Sequence, residues 1–318
     1  MRLLKGLVIS LAIGGVAALA IAARAAPRPL TQLDRIAPGM NFAYVRVRGV
    51  VLSYPAVDAQ SGFLSFILRD ETGQLRITAY RKAAQALAQT GRIPAPGDRV
   101  EAEGVLRIRE DDVTLVLNAA DAFTATRPNA TPVELTALDA LELGERASVA
   151  GQVRRLRTIS DGLWVITLRD GDALGDVLLR GDAPHAFAEG GWLRVTGAVA
   201  SYRDARQLLP ATAADVTSIA PPPAKTRPIA ALNRDLLGQW ITVRAEVIEL
   251  QPFKLGMRLA LRDAELEQID VVAFDRVWQN TPLSPTLASG DVIVVSGVLA
   301  DFHGQLELMP EIGADLRR

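Results

Sequence analysis

The chain has no cysteine among its 318 residues, which removes disulfides, thiolate metal sites and cysteine nucleophiles together. Histidine is nearly absent as well. His185 and His303 are the two copies, and neither has a second ligand at metal-binding spacing. Aromatic residues make up 5% of the chain. There is no surplus of one charge either, with 35 basic and 36 acidic residues and a net charge of −1. An avid, nonspecific nucleic-acid binder shows a strong basic excess. No phosphate loop, G-x-S-x-G elbow or H-E-x-x-H motif occurs. The acidic run Glu110-Asp111-Asp112 falls where a hairpin turn is expected, so a solvated turn is its default reading. These absences lead to the expectation of a non-catalytic protein with no cofactor and no metal site.

What the chain does have is repetition. Leu-Arg-Asp occurs at Leu68-Arg69-Asp70, Leu168-Arg169-Asp170 and Leu261-Arg262-Asp263. Each copy is followed by two glycines seven residues apart: Gly97/Gly104, Gly190/Gly197 and Gly290/Gly297. A long internal period means one supersecondary unit used several times. The copies span about 31–126, 131–219 and 227–318, separated by the proline-bearing stretches Arg127 to Pro132 and Pro221 to Lys225. Proline clusters of this kind favour extended spacers.

The N-terminus has the pattern of an export signal. Arg2 and Lys5 precede an uncharged apolar run from Gly6 to Ala23, and Ala23-Arg24-Ala25 fits a small-x-small cleavage site. The run is long for a signal core and near the length of a bilayer span. Residues 1–25 are therefore expected to be a signal peptide cleaved after Ala25 or a retained membrane anchor through residues 6–23. Either way the rest of the chain is expected outside the cytoplasmic membrane. No cysteine lies at the cleavage site to carry a lipid.

Within each copy the signals come in one order. An alternating strand comes first: Tyr44 to Val50, Ala147 to Val153, Ile241 to Val247. A second runs into Leu-Arg-Asp, and a third follows the turn. Period-2 alternation marks half-buried strands. A weaker stretch then intervenes, helical in composition at Arg81 to Ala88 and shorter at Asp182 to Glu189 and Asp275 to Asn280. The glycine pair brackets a fourth strand, and a fifth closes the unit, as at Thr114 to Leu117 and Gln305 to Met309. The fold class expected is all-β, with three tandem five-stranded Greek-key barrels. The pattern resembles the OB-fold nucleic-acid-binding module of the anticodon-binding and single-strand-binding type. Copy one carries the resemblance in Val47, Gly49, Val50, Leu68-Arg69-Asp70, Gly73, Gly97-Asp98 and Gly104. Copy two has Gly190-Gly191 where Gly-Asp is usual, and copy three has Ala245 in place of the first glycine.

The resemblance implies binding on strands two and three, where aromatics stack bases and arginines or lysines neutralise phosphates. Copy one offers Arg46 and Arg48 on one face of strand one, then Phe63, Arg69, Arg76, Tyr80, Arg81 and Lys82, with Arg154 of copy two as an addition. Phe66 has core parity, which leaves Phe63 and Tyr80 as the stacking candidates. The plainer alternative makes these aromatics barrel core and the arginines a solvated face. Charge separates the copies. Copy one has 11 basic and 11 acidic residues, copy two 9 and 12, and copy three 9 and 13, so single-stranded nucleic acid or another polyanion would favour the first, weakly. Copy three, with Phe253, Phe274, Trp278, Phe302 and His303 on an acidic background, suits a protein or cationic ligand better than phosphate. The rival reading of the whole chain is an envelope scaffold that contacts protein, glycan or a small ligand.

Overall fold

Alternation of apolar and polar residues builds three barrels, one after another. The computed structural model describes residues 29–318 apart from 59, 111, 161, 182–186 and 285. The expected signal or anchor therefore lies outside the described residues, as do His185 and most of the second helical insert. The chain divides into two compact units, one through Arg127 and one from Pro128.

The first unit holds β1 (Tyr44–Val51), β2 (Ala56–Asp58), β3 (Phe63–Arg69), β4 (Gln74–Tyr80), α1 (Lys82–Gln89), β5 (Arg99–Arg109), β6 (Asp112–Leu117) and β7 (Phe123–Thr126). Pairing runs β1-β3-β4-β6-β5 and returns from β5 to β1, which closes the ring. Val45, Val47 and Val51, Leu64, Phe66 and Leu68, and Leu75, Ile77 and Ala79 alternate into its core. Full burial of each large apolar side chain contributes about 1.5–3 kcal/mol. Phe66 points inward as its parity requires and meets the edge of the Phe123 ring at 6.0 Å. Helix α1 turns Ala83, Ala84 and Leu87 onto this core.

The second unit repeats the ring twice. Its first barrel comprises β8 (Thr131–Pro132), β9 (Arg146–Ser160), β10 (Leu163–Asp170), β11 (Ala173–Arg180), β12 (Trp192–Tyr202), β13 (Ala205–Leu209) and β14 (Val216–Ile219). The next has β15 (Trp240–Phe253), β16 (Gly256–Arg262), β17 (Gln268–Phe274), α2 (Asp275–Asn280), β18 (Val292–Phe302), β19 (Gln305–Met309) and β20 (Leu316–Arg317). The rings close through β12–β9 and β15–β18. The first strand is continuous in these two barrels. In barrel one, Pro55 separates β1 from β2, since proline supplies no ladder N–H.

Each glycine pair has a physical reason. Gly97, Gly190 and Gly290 have φ of 83°, 87° and 95°, a region that only glycine enters freely. Each donates its N–H to a carbonyl of strand one, at Val51, Val153 and Val247. At Gly104, Gly197 and Gly297 a β carbon would strike the carbonyl of Val116, Leu209 and Met309 respectively, where strand four crosses strand five.

Leu-Arg-Asp does more than mark a turn. Leu68, Leu168 and Leu261 are wholly buried. The Asp70 carboxylate accepts from Thr72 and Gly73 and, across 37 positions, from the Leu33 backbone N–H at 2.9 Å. Asp263 repeats this with Glu265, Glu267 and Ile229. The aspartate thus ties the barrel wall to the 3-10 turn that leads into strand one. Copy two differs: Asp170 pairs with Ala173 across a tight hairpin through Gly171-Asp172, and its lead-in residue Leu135 packs over Gly175 instead.

Candidate functional site

The outward side chains of β3 and β4 form one surface on barrel one. Antiparallel register sets Phe63 opposite Tyr80, Ser65 opposite Thr78, Ile67 opposite Arg76 and Arg69 opposite Gln74. The Phe63 and Tyr80 rings lie 5.5 Å apart at 48°. Phe63 is half-buried, whereas Tyr80 is 52% exposed. Arg81 and Lys82 follow directly, both exposed, with Arg81 in a strained left-handed conformation at φ 47°. Arg69, Arg81 and Lys82 make no ion pair or side-chain hydrogen bond among the described residues. Arg76 stands 3.7 Å from Asp112, both half-exposed or more, a geometry that holds the guanidinium weakly. Between the rings and Arg76 sits Thr78, 3% exposed, with its hydroxyl unpartnered. The residue list drawn from sequence omitted Thr78, although its strand parity with Arg76 and Tyr80 places it on this face.

Arg46 and Arg48 are elsewhere. They project from the β1–β5 wall, where the register sets Arg46 against Glu103 and Arg48 against Glu101. Glu101 accepts from both guanidiniums, through Arg46 Nε at 2.9 Å and Arg48 Nη2 at 2.7 Å, and Glu103 lies 3.8 Å from Arg46. Hydrogen bonds from Arg46 and then Arg48 hold the Glu101 carboxyl below its ordinary pKa. Two cations against two carboxylates leave this wall neutral. It is not part of the Phe63–Tyr80 surface that sequence grouped it with.

Arg154 departs further from its expected role. Its side chain is 5% exposed and forks onto Asp315 at 2.6 and 2.8 Å, with Glu311 at 3.0 Å. Burial works against its charge, but Asp315 and Glu311 outweigh that and raise its pKa. Arg169, the arginine of the second Leu-Arg-Asp, reaches Glu311 at 3.2 Å. Both guanidiniums cover the Trp240 ring, at 4.7 and 4.2 Å from its centre. Asp172 accepts from the Trp240 backbone N–H. This is the joint between barrels two and three, and Arg154 is enclosed within it. Gly190 belongs to the same joint, because a β carbon there would collide with Ala314 of barrel three.

The matching surfaces of the other barrels are chemically different. The position of Arg76, paired with Thr114 on strand five, is Asp176 against Gln207 in barrel two and Asp270 against Glu307 in barrel three. Leu163 and Arg180 replace the aromatic pair in barrel two. Barrel three has one again, Phe253 with Phe274, centred 6.2 Å apart at 72°. His303 stands at φ 51° in the two-residue turn between β18 and β19 and edges onto Phe302. No group of three or more metal-ligating side chains occurs among the described residues. Nor is any described helix long and apolar enough to cross a membrane.

Residues 45–121 match the family model of the OB-fold nucleic acid binding domain, of the tRNA anticodon type. No curated protein matches the chain. Among solved structures, a replication protein A heterotrimer bound to ssDNA aligns at 11% identity over 88% of this chain and 94% of its own, with a TM-score of 0.29. The aspartyl tRNA synthetase from Entamoeba histolytica aligns at 12% over 34% of this chain and 24% of its own, TM-score 0.28. A murine DNA binding protein bound with ds DNA aligns at 12% over 55% and 97%, TM-score 0.24. TM-scores this low establish no shared arrangement of domains. Residues 45–121 are thus similar to an OB-fold nucleic acid binding domain, and the two barrels that follow repeat the strand order of the first.

Proposed function

We propose that barrel one binds single-stranded nucleic acid, or a polyanion of like spacing, on its β3–β4 face, and that the chain is a non-catalytic array working outside the cytoplasmic membrane. The observation that carries the binding reading is the co-facial set of the Phe63–Tyr80 pair, Arg76 and Arg69, with the exposed, unpaired Arg81 and Lys82 following directly after Tyr80 in the chain. A base stacked on Tyr80 would place its phosphates within reach of these cations. The family match over residues 45–121 supports nucleic-acid binding by this barrel. The reading of address rests on the basic, apolar and small-residue order of residues 1–25, and the mass of the mature N-terminus distinguishes a cleaved leader from a retained anchor.

Salt-titrated anisotropy with labelled single-stranded DNA and RNA tests the binding. Tyr80→Ala should weaken it about fivefold or more, given ~1–3 kcal/mol per stacked base. Arg76→Gln should lower the salt slope by about 0.7, the value of one phosphate contact on a single strand. Arg46→Glu with Arg48→Glu, on the neutral wall, should leave the Tyr80-dependent binding in place. Affinity indifferent to Tyr80 and Arg76 would remove this face from consideration.

A further inference from the structure

Barrel three keeps barrel one's register and inverts its charge. Cross-strand pairing sets Phe253, Gly256 and Phe274 in one row across β15, β16 and β17. A β carbon on Gly256 would run into the backbone of Ala273 and Phe274, and over this glycine the Phe253 and Phe274 rings meet edge to face, 6.2 Å between centres. Two rows away, Glu249, Ala260, Asp270 and Glu307 line up across β15, β16, β17 and β19. Arg258 lies between the rows, 3.6 Å from Asp270. Three carboxylates against one guanidinium leave the surface net negative.

Glu307 is the unusual member. It is 9% exposed, on the outer side of its strand opposite the core residue Leu308, and it has no hydrogen bond or ion pair among the described residues. Burial raises its pKa, Asp270 adds to the rise and Arg258 opposes it. Burying most of a carboxylate makes its ionised form costly, and no described residue of this barrel hydrogen-bonds or ion-pairs with it. Phosphate is repelled here, because Asp270 and Glu307 occupy the places of Arg76 and Thr114. A cation is attracted twice, by the carboxylates and by the aromatic faces.

The spacing selects the form of the ligand. Asp270 and Phe274 are four residues apart on one strand and face one side, a span of about 13 Å at ~3.3 Å per residue. An extended peptide has the same rise, so its side chains at i and i+4 match the two rows. We propose that this face of barrel three binds an extended peptide segment bearing two arginines or lysines four residues apart, one held by Asp270 and Glu307 and the other over the Phe253–Phe274 pair.

The test uses the full chain and a fluorescein-labelled peptide Arg-Ser-Thr-Ser-Arg, with Arg-Arg-Ser-Thr-Ser and Glu-Ser-Thr-Ser-Glu as controls. The spaced peptide should bind more tightly than the adjacent-arginine control, and the acidic one should not bind. Glu307→Gln and Asp270→Asn should each weaken binding about fivefold or more, as loss of a close charge pair does, and Phe274→Ala about threefold. Hydrogen exchange on the unaltered chain should slow within residues 256–274 and 305–309 when the peptide is added, a readout free of any folding defect. Absence of binding, equal affinity for the acidic peptide, or affinity unmoved by all three substitutions would overturn the proposal. Tyr80→Ala and Arg76→Gln should leave peptide binding unchanged, so failure here is separable from failure of the nucleic-acid reading of barrel one.

Discussion

In barrel one an aromatic pair stands two rows from Arg76 and Thr114, and in barrel three an aromatic pair stands two rows from Asp270 and Glu307. The strand order is the same in both barrels, so the sign of the face depends on two side chains and not on topology. The aromatic rows are also built differently. Pro55 interrupts the first strand of barrel one, where Asp58 lies opposite Phe63. In barrel three the strand runs on to Phe253, and Gly256 stands between its ring and that of Phe274. The same strand order thus carries faces of opposite charge in the two barrels.

The largest expected effect comes from how each barrel secures its C-terminal end. In barrel one, Arg127 closes onto the barrel's own Asp98 at 2.8 Å, with the arginine 43% exposed. In barrel three, Asp315 is wholly buried and holds Arg154 of barrel two. Asp315→Ala removes the forked partner of a buried guanidinium, leaving it Glu311 and Gln152, and should cost about 3 kcal/mol of the second unit's stability. Arg127→Ala should cost about 1 kcal/mol of the first, because its cation is half in water. Calorimetry of the two variants would show unequal shifts, and equal shifts would erase the distinction.

A smaller effect separates the copies of Leu-Arg-Asp. Asp70→Ala and Asp263→Ala each remove hydrogen bonds between a carboxylate and the lead-in backbone, worth about 1.5–3 kcal/mol. Asp170→Ala, whose carboxylate has no such role, should stay within about 0.5 kcal/mol of the parent. Denaturant midpoints of the three variants give the comparison.

The smallest effect concerns pH. The Glu307 pKa is raised in the folded chain, chiefly by burial and further by Asp270 against the pull of Arg258. The folded state then holds this proton more tightly than the unfolded state, so its contribution favours folding below the ordinary carboxylate range and is lost as pH rises through the raised value. Glu307→Gln should therefore gain stability over the parent towards neutral pH and lose that advantage in acid. Barrel one has Thr114 in this place and should show no such difference on Thr114→Val.

Much of the fold was legible because its signals are local. Alternation placed Val45, Val47 and Phe66 in the core, and the glycine pairs mark the points where strand four leaves its turn and crosses strand five. The site was legible in part. Phe63, Tyr80 and Arg76 come together because two adjacent strands of a hairpin carry them, and strand parity is enough to find them. Arg46 and Arg48 were misplaced because their partner Glu101 lies more than fifty positions on. The mirrored spacing of Arg46-x-Arg48 and Glu101-x-Glu103 is the signal that would have shown it. Arg154 depends on partners 157 and 161 positions away in another barrel, and no local pattern announces a contact of that kind.

Gly191 stands where barrels one and three have Asp98 and Asp291, each capping a turn and taking a C-terminal arginine. Beside it, Gly190 leaves just enough room for Ala314. The order of the barrels is therefore written into the chain. A genetic exchange of the first and second barrels would present the third with an aspartate already committed to its own arginine, and the array would lose the seat on which its last member rests.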